Sequence, residues 1–275
     1  MTRALESLGV SVRYMPGKTG WKGHARITVP ADDGDFDMLE GALAKVLKPR
    51  ALLFDLDGVL ADVSGSYLKA IVECAASFGV EVNPAEVARE KSKPGTNNDW
   101  ELTRRLLARR GVTVGLAAVR ERFEMFYQGN RERSGLWRNE RLLWPKSRLK
   151  ALRTRLPLGI VTGRPKADAW RFLDRFGLSE LFGAVVCLED APAKPSPEPV
   201  MLALRQLDVE RAWMVGDSPD DMDAARSAGV VPVGFARKGP GARLRAQALR
   251  RRGAAAVLSS PAELSALLDA VGIRS

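Results

Sequence analysis

The 275-residue sequence has only two cysteines, Cys74 and Cys187, and a single histidine, His24. Two widely separated cysteines are too few for a disulfide framework or a zinc knuckle, so reduced structural thiols are expected. With no second histidine and no neighbouring cysteine, His24 is assigned a surface or loop role rather than a metal or catalytic one. Long apolar runs are missing as well. No stretch approaches the ~18 residues that span a bilayer, and residues 1–14 lack the apolar centre of a signal peptide. A soluble, cytoplasmic protein without a membrane partner is expected. There is also no long internal repeat and no low-complexity linker.

What is present is ordinary in amount, with 45% hydrophobic residues, and the length predicts a core domain with a smaller partner. The formal charge is +10. Arginines recur in every segment, including 104–105, 109–110, 131–141 and 250–252, without interleaved aromatics or a nucleic-acid motif. This distribution describes a generally basic surface better than a nucleic-acid site.

Residues 1–48 predict a small α+β unit: strands around 10–14 and 25–29 and a helix over 35–47. An apolar strand follows at 51–55. Residues 64–155 then carry helical patterns at 66–78, 84–91, 98–110, 116–131 and 144–155, with no strand of comparable strength among them. From Leu158 strands at 158–162, 184–188, 212–215, 230–235 and 255–258 alternate with helices. The expected fold is therefore α/β, a doubly wound parallel sheet formed by 49–63 and 156–275. A helical cap over 64–155 is inserted after the first strand, and 1–48 forms an appendage.

Polar groups gather where these strands end. The run Leu52-Leu53-Phe54-Asp55-Leu56-Asp57-Gly58 stops at two carboxylates that share a face, with Gly58 free to turn. The strand at 158–162 ends in Thr162-Gly163-Arg164, a hydroxyl, an approachable backbone and a guanidinium. Lys194 sits in a proline-stiffened loop, and Gly216-Asp217-Ser218-Pro219-Asp220-Asp221 ends another strand in acids. Taken singly these are a solvated turn, a Thr-Gly turn, an exposed lysine and a helix cap. Taken together at one sheet edge they need a hard dication between the carboxylates, and oxygen ligands alone suit Mg2+. Thr162, Lys194 and backbone N–H groups are placed to hold a phosphoryl group.

The motifs "DLDGVL", "VTGR", "KPSPEP" and "GDSPDD", in this order over residues 51 to about 235, closely resemble those of the haloacid dehalogenase superfamily. The helical block resembles the cap of its α-helical-cap subgroup. The resemblance implies Asp55 as the nucleophile that becomes an aspartyl-phosphate and Asp57 as the acid and base. It implies Thr162 and Lys194 as phosphate holders, with Gly163 and Arg164 beside them. It implies Asp55, the Asp57 carbonyl and Asp217 as metal ligands, assisted by Asp221, with Asp220 a weaker substitute. An acid at position 57 favours phosphatase or phosphomutase over dehalogenase chemistry, on a small phosphorylated metabolite. Lys91, Lys93, Asn97 and Asn98 are polar candidates in the cap loops.

The segment "LGVSVRY…ARITVP…FDMLEGALAKVL" resembles the C-terminal end of histidinol-phosphate aminotransferases, with Arg26 at that family's substrate-contacting arginine. The cofactor-binding domain of those enzymes has no counterpart here, so transamination is not implied. The juxtaposition points to histidinol phosphate as a substrate. The alternatives are a phosphomutase of the β-phosphoglucomutase kind and a basic binding protein with a vestigial site.

Overall fold

The computed structural model describes residues 2–14, 25–28, 30, 32–91, 93–96, 98–239 and 241–274, so His24 and Asn97 lie outside the described residues. Six parallel strands form the main sheet. Their spatial order is Ala256–Leu258, Val231–Phe235, Ala212–Gly216, Ala51–Phe54, Leu158–Val161, Ala184–Val186. Ala51–Phe54 is first in the chain yet central in the sheet. The chain winds outward on one side to Ala184–Val186 and then returns to the other. The carboxyl end of Ala51–Phe54 is thus the switch point where open α/β sheets bind ligands.

The apolar runs follow from burial on both faces. Leu52 and Phe54 join one core layer with Ile160, Trp213, Val215 and Phe235. Ala51 and Leu53 join the other with Val161, Met214, Val200 and Ala203. Each large side chain so buried stabilises the fold by roughly 1.5–3 kcal/mol. Leu53→Ala, which would open a void between strand and helix, should cost about 2–5 kcal/mol. The helices Lys166–Phe176, Glu198–Gln206, Pro219–Ser227, Ala242–Arg251 and Pro261–Ala270 follow successive strands.

Between the first two sheet strands lie the helices Tyr67–Ser77, Pro84–Lys91, Asp99–Ala108 and Leu116–Gln128, the 3-10 turn Leu136–Asn139 and the helix Lys146–Arg153. Ile71, Leu102, Leu106, Val119 and Phe123 form their shared apolar interior. Gly129, at φ 81°, ends the helix predicted to reach residue 131, because the left-handed turn stops the ladder at Gln128.

Two features of this segment leave no mark in the hydrophobic pattern. Ala61–Asp62 pairs antiparallel with Arg141–Leu142, a ladder of two residues and too short to produce a periodic signal. The last helix starts at Lys146 rather than Trp144, since the residue before Pro145 is driven out of the helical region. Trp144 is instead fully buried, its ring 5.3 Å from Phe54 and 5.8 Å from Phe235.

The N-terminal residues also pack on the sheet. Thr2–Ser7 is helical and Leu5 is buried in the layer that holds Trp213 and Val231. Asp32 caps the helix Asp33–Leu47 by accepting the Asp35 N–H at 3.1 Å. The Lys45 carbonyl accepts the Trp213 indole N–H at 3.3 Å. The short strands here are Arg13–Tyr14 and Ala25–Arg26, paired antiparallel. Among the described residues no helix is long and apolar enough to cross a membrane.

Candidate active site

Asp55 follows the last residue of the central strand, and its N–H still donates to the Val215 carbonyl at 2.9 Å. The sheet therefore fixes its backbone, and the residue is buried. Lys194 reaches the same point from the loop before Glu198–Gln206. Its ammonium lies 2.7 Å from Asp55 Oδ1, 2.5 Å from Asp221 Oδ1 and 2.9 Å from the Val161 carbonyl.

Asp221 serves two ends at once. While Oδ1 meets Lys194, Oδ2 accepts the Asp217 and Ser218 N–H groups at 3.1 and 3.0 Å and the Ser218 hydroxyl at 2.7 Å. Ser218 in turn accepts the Asp221 N–H, closing a capping box at the start of Pro219–Ser227. The cap expected of this motif and its place in the site are therefore one arrangement.

Two glycines make room. A Cβ on Gly58, whose φ is 75°, would collide with the Asp217 carboxylate. A Cβ on Gly216 would collide with the side chain of Asp221.

Carboxylate oxygens of Asp55, Asp217 and Asp221 all lie within 4.8 Å of one another. Burial and the neighbouring Asp221 and Asp57 push the Asp55 carboxyl up to about 7, against the pull of Lys194. Asp217 is driven well above the carboxylate range by burial and then by Asp55 and Asp221. It has no ion-pair partner among the described residues. Burial works against the charge of Lys194, but Asp221 and Asp55 outweigh it and hold the ammonium above its ordinary value. The uncompensated excess is acidic and every donor is an oxygen, which fits a hard dication.

Thr162 closes the opposite side. Its N–H donates to the Val186 carbonyl at 2.9 Å and its hydroxyl accepts the Arg164 N–H at 3.2 Å. Gly163 has open space where a Cβ would stand. Arg164 also lines the cavity but is only 1% exposed, and its guanidinium meets Asp57 and Glu140.

Asp55, Asp57, Thr162, Gly163, Lys194 and Asp217 line one cavity of about 340 Å³. Lys91, paired with Asp99 at 2.6 Å, and Asn98 also line it, brought there by the helical segment. Lys93 pairs with Glu90 and does not line the cavity. Glu140, Tyr127 and Asp220 were invisible as partners in the sequence, because their contacts cross between segments. Asp220 is 1% exposed, and both its oxygens lie 3.0 Å from the Gly95 N–H.

A switch-point cavity of carboxylates, lysine and threonine at the edge of an α/β sheet is suited to phosphoryl chemistry. The family model for haloacid dehalogenase-like hydrolases matches residues 49–229, and the chain belongs to that family. It is similar to a protein of Phytophthora nicotianae named imidazoleglycerol-phosphate dehydratase, 46% identical over 193 residues. That match covers 67% of this chain and only 43% of the relative. A phosphoglycolate phosphatase of Photorhabdus laumondii is 31% identical over 201 residues, covering 70% of this chain and 82% of the relative. Among solved structures, a haloacid dehalogenase family hydrolase of Deinococcus radiodurans with bound phosphate and sodium superimposes with a TM-score of 0.62. It is 26% identical, over 82% of this chain and 97% of that one.

Proposed function

We propose that this haloacid dehalogenase-like enzyme is a Mg2+-dependent phosphatase that hydrolyses a small phosphate monoester through an aspartyl-phosphate on Asp55. The observation that carries the reading is Lys194 held between Asp55 and Asp221 beside the unpaired Asp217. Asp55, Asp217 and the Asp57 carbonyl would hold Mg2+, with Asp221 orienting the set. When bound, the ion offsets the crowded carboxylates and the charge of the phosphoryl oxygens.

The residues of the chain do the rest. An Asp55 oxygen attacks phosphorus while the bond to the substrate alcohol breaks, and Asp57 gives its proton to the departing oxygen. The Thr162 hydroxyl, the Gly163 N–H and the Lys194 ammonium hold the phosphoryl oxygens. Asp57, now ionised, takes a proton from water that attacks phosphorus. The bond to Asp55 breaks and inorganic phosphate leaves.

Histidinol phosphate is the substrate favoured. Two independent likenesses support it: residues 1–48 with histidinol-phosphate aminotransferases, and the chain with the Phytophthora dehydratase. Dehydrating imidazoleglycerol phosphate yields an imidazole-bearing keto phosphate, and transaminating that product yields histidinol phosphate. A phosphatase takes the next chemical step. The second reading is phosphoglycolate, favoured by the named activity of the Photorhabdus relative and by Arg245, a cation at the cavity wall suited to a carboxylate. Phosphate release from the two compounds with Mg2+, measured side by side, separates these readings. Rearrangement without net phosphate release would indicate a mutase.

A further inference from the structure

Arg164 is held between two acids and two aromatic rings, with hydrogen bonds from Nε and Nη1. Its Nε lies 2.6 Å from Asp57 Oδ1 and its Nη2 2.5 Å from the same oxygen. Its Nη1 donates to Glu140 Oε2 at 2.9 Å. The rings of Tyr67 and Phe172 flank the guanidinium carbon at 5.0 and 5.2 Å. Glu140 is itself fixed, since its Oε1 accepts the Tyr127 hydroxyl at 3.0 Å. Glu140 is 4% exposed and stands beside the short ladder between Ala61–Asp62 and Arg141–Leu142. Asp57 Oδ2, by contrast, accepts no hydrogen bond from the described residues, and the Asp57 side chain is 27% exposed at the cavity.

We propose that Arg164 is the positioning residue for Asp57, pinning Oδ1 so that Oδ2 carries the transferable proton, and that Glu140 holds Arg164 in that pose. A carboxyl with one oxygen bound to a guanidinium must carry its proton on the other. The geometry thus selects both the oxygen and its direction. The chain Asp57–Arg164–Glu140–Tyr127 also ties this orientation to the helical segment, because Tyr127 belongs to Leu116–Gln128. Arg164 acts through Asp57 and need not touch the phosphoryl group.

The inference rests on the phosphatase reading, in which Asp57 protonates the leaving oxygen as its bond to phosphorus breaks. p-Nitrophenolate leaves without help, whereas the alkoxide of glycerol 2-phosphate needs the proton. The value of kcat/KM, which reports on steps through loss of the alcohol, is therefore measured for both compounds in wild type, Arg164→Lys, Arg164→Gln and Glu140→Gln. Positioning predicts that Arg164→Gln lowers kcat/KM for glycerol 2-phosphate on the order of 10²-fold, the scale of general-acid assistance. The loss with p-nitrophenyl phosphate should stay below about tenfold, with KM little changed. Arg164→Lys and Glu140→Gln should show the same selectivity in weaker form. Glu140→Gln keeps the test sharp if Arg164→Gln fails to fold.

Equal losses on both compounds would make the cluster a mere structural tie, and a raised KM on both would make Arg164 a substrate ligand. Either result overturns the proposal. Failure of the underlying reading looks different, because wild type itself would then release no phosphate from either compound.

Discussion

Lys194 and Asp55 form a buried ion pair at 2.7 Å, on side chains 4% and 9% exposed. The pair joins a loop that follows the third strand of the sheet to the end of its first, so one contact serves both fold and chemistry. Removing one member of such a pair strands the other without solvent, typically at about 3–5 kcal/mol. Lys194→Gln should therefore unfold at lower urea, with the larger deficit at pH 8 and part of it recovered at pH 5. Urea midpoints at the two pH values check this. An equal deficit at both would mean that Asp55 takes up no proton when Lys194 is gone.

The same cluster sets a pH dependence. The Asp55 carboxyl moves from an ordinary 3.8 to about 7, chiefly through burial. A folded value raised in this way contributes stability that is complete below 3.8 and is lost as pH rises through about 7. Asp217 shifts in the same direction. In the metal-free protein Tm should fall across that window. Added Mg2+ should raise Tm more at pH 8 than at pH 5, because the dication competes with those protons. Thermal melts with and without Mg2+ decide the point, and a Mg2+ effect independent of pH would count against these ligands.

Gly58→Ala tests the close approach to Asp217. The substitution adds a Cβ at φ 75° and drives it into the carboxylate. A loss of about 1–3 kcal/mol is expected. The Mg2+ concentration for half-maximal activity should also rise, as Asp217 is displaced. Urea unfolding and Mg2+ titration measure the two effects separately.

Asp220 joins the fourth motif to the loop at Gly95, and burial raises its carboxyl above the ordinary value. Hydrogen bonds to charged groups contribute about 1.5–3 kcal/mol. Asp220→Ala should free that loop, raising KM for the small substrate about tenfold with a smaller change in kcat. Faster proteolytic cleavage near residues 93–96 should accompany it. An unchanged KM would show that the contact does not shape the closed cavity.

Much of this arrangement was legible in the sequence because burial and turn chemistry leave local marks. The strands Ala51–Phe54, Leu158–Val161 and Ala212–Gly216 are apolar runs cut short by polar residues, and their ends meet at the cavity. The Ser218 cap was equally visible. What escaped was set by contacts distant in the chain. Glu140 lies 24 residues before Arg164, in an irregular stretch with no periodic signal. Arg164, expected beside the substrate, does line the cavity, but its contacts with that glutamate and with Tyr67 and Phe172 left no local mark. The ladder at Arg141–Leu142 is two residues long, below the reach of any alternation pattern.

At the centre of the proposed reaction, an Asp55 carboxylate oxygen is the nucleophile that accepts the phosphoryl group. Wild type and Asp55→Asn, each mixed with Mg2+ and p-nitrophenyl phosphate and quenched in acid within the first turnovers, would be digested and examined by mass spectrometry. The account predicts a phosphoryl group on Asp55 in the peptide that spans Leu52 to Gly58. Asp55→Asn should show no adduct and no turnover while melting cooperatively. Phosphate release with no adduct on Asp55, or undiminished turnover by Asp55→Asn, would contradict the account.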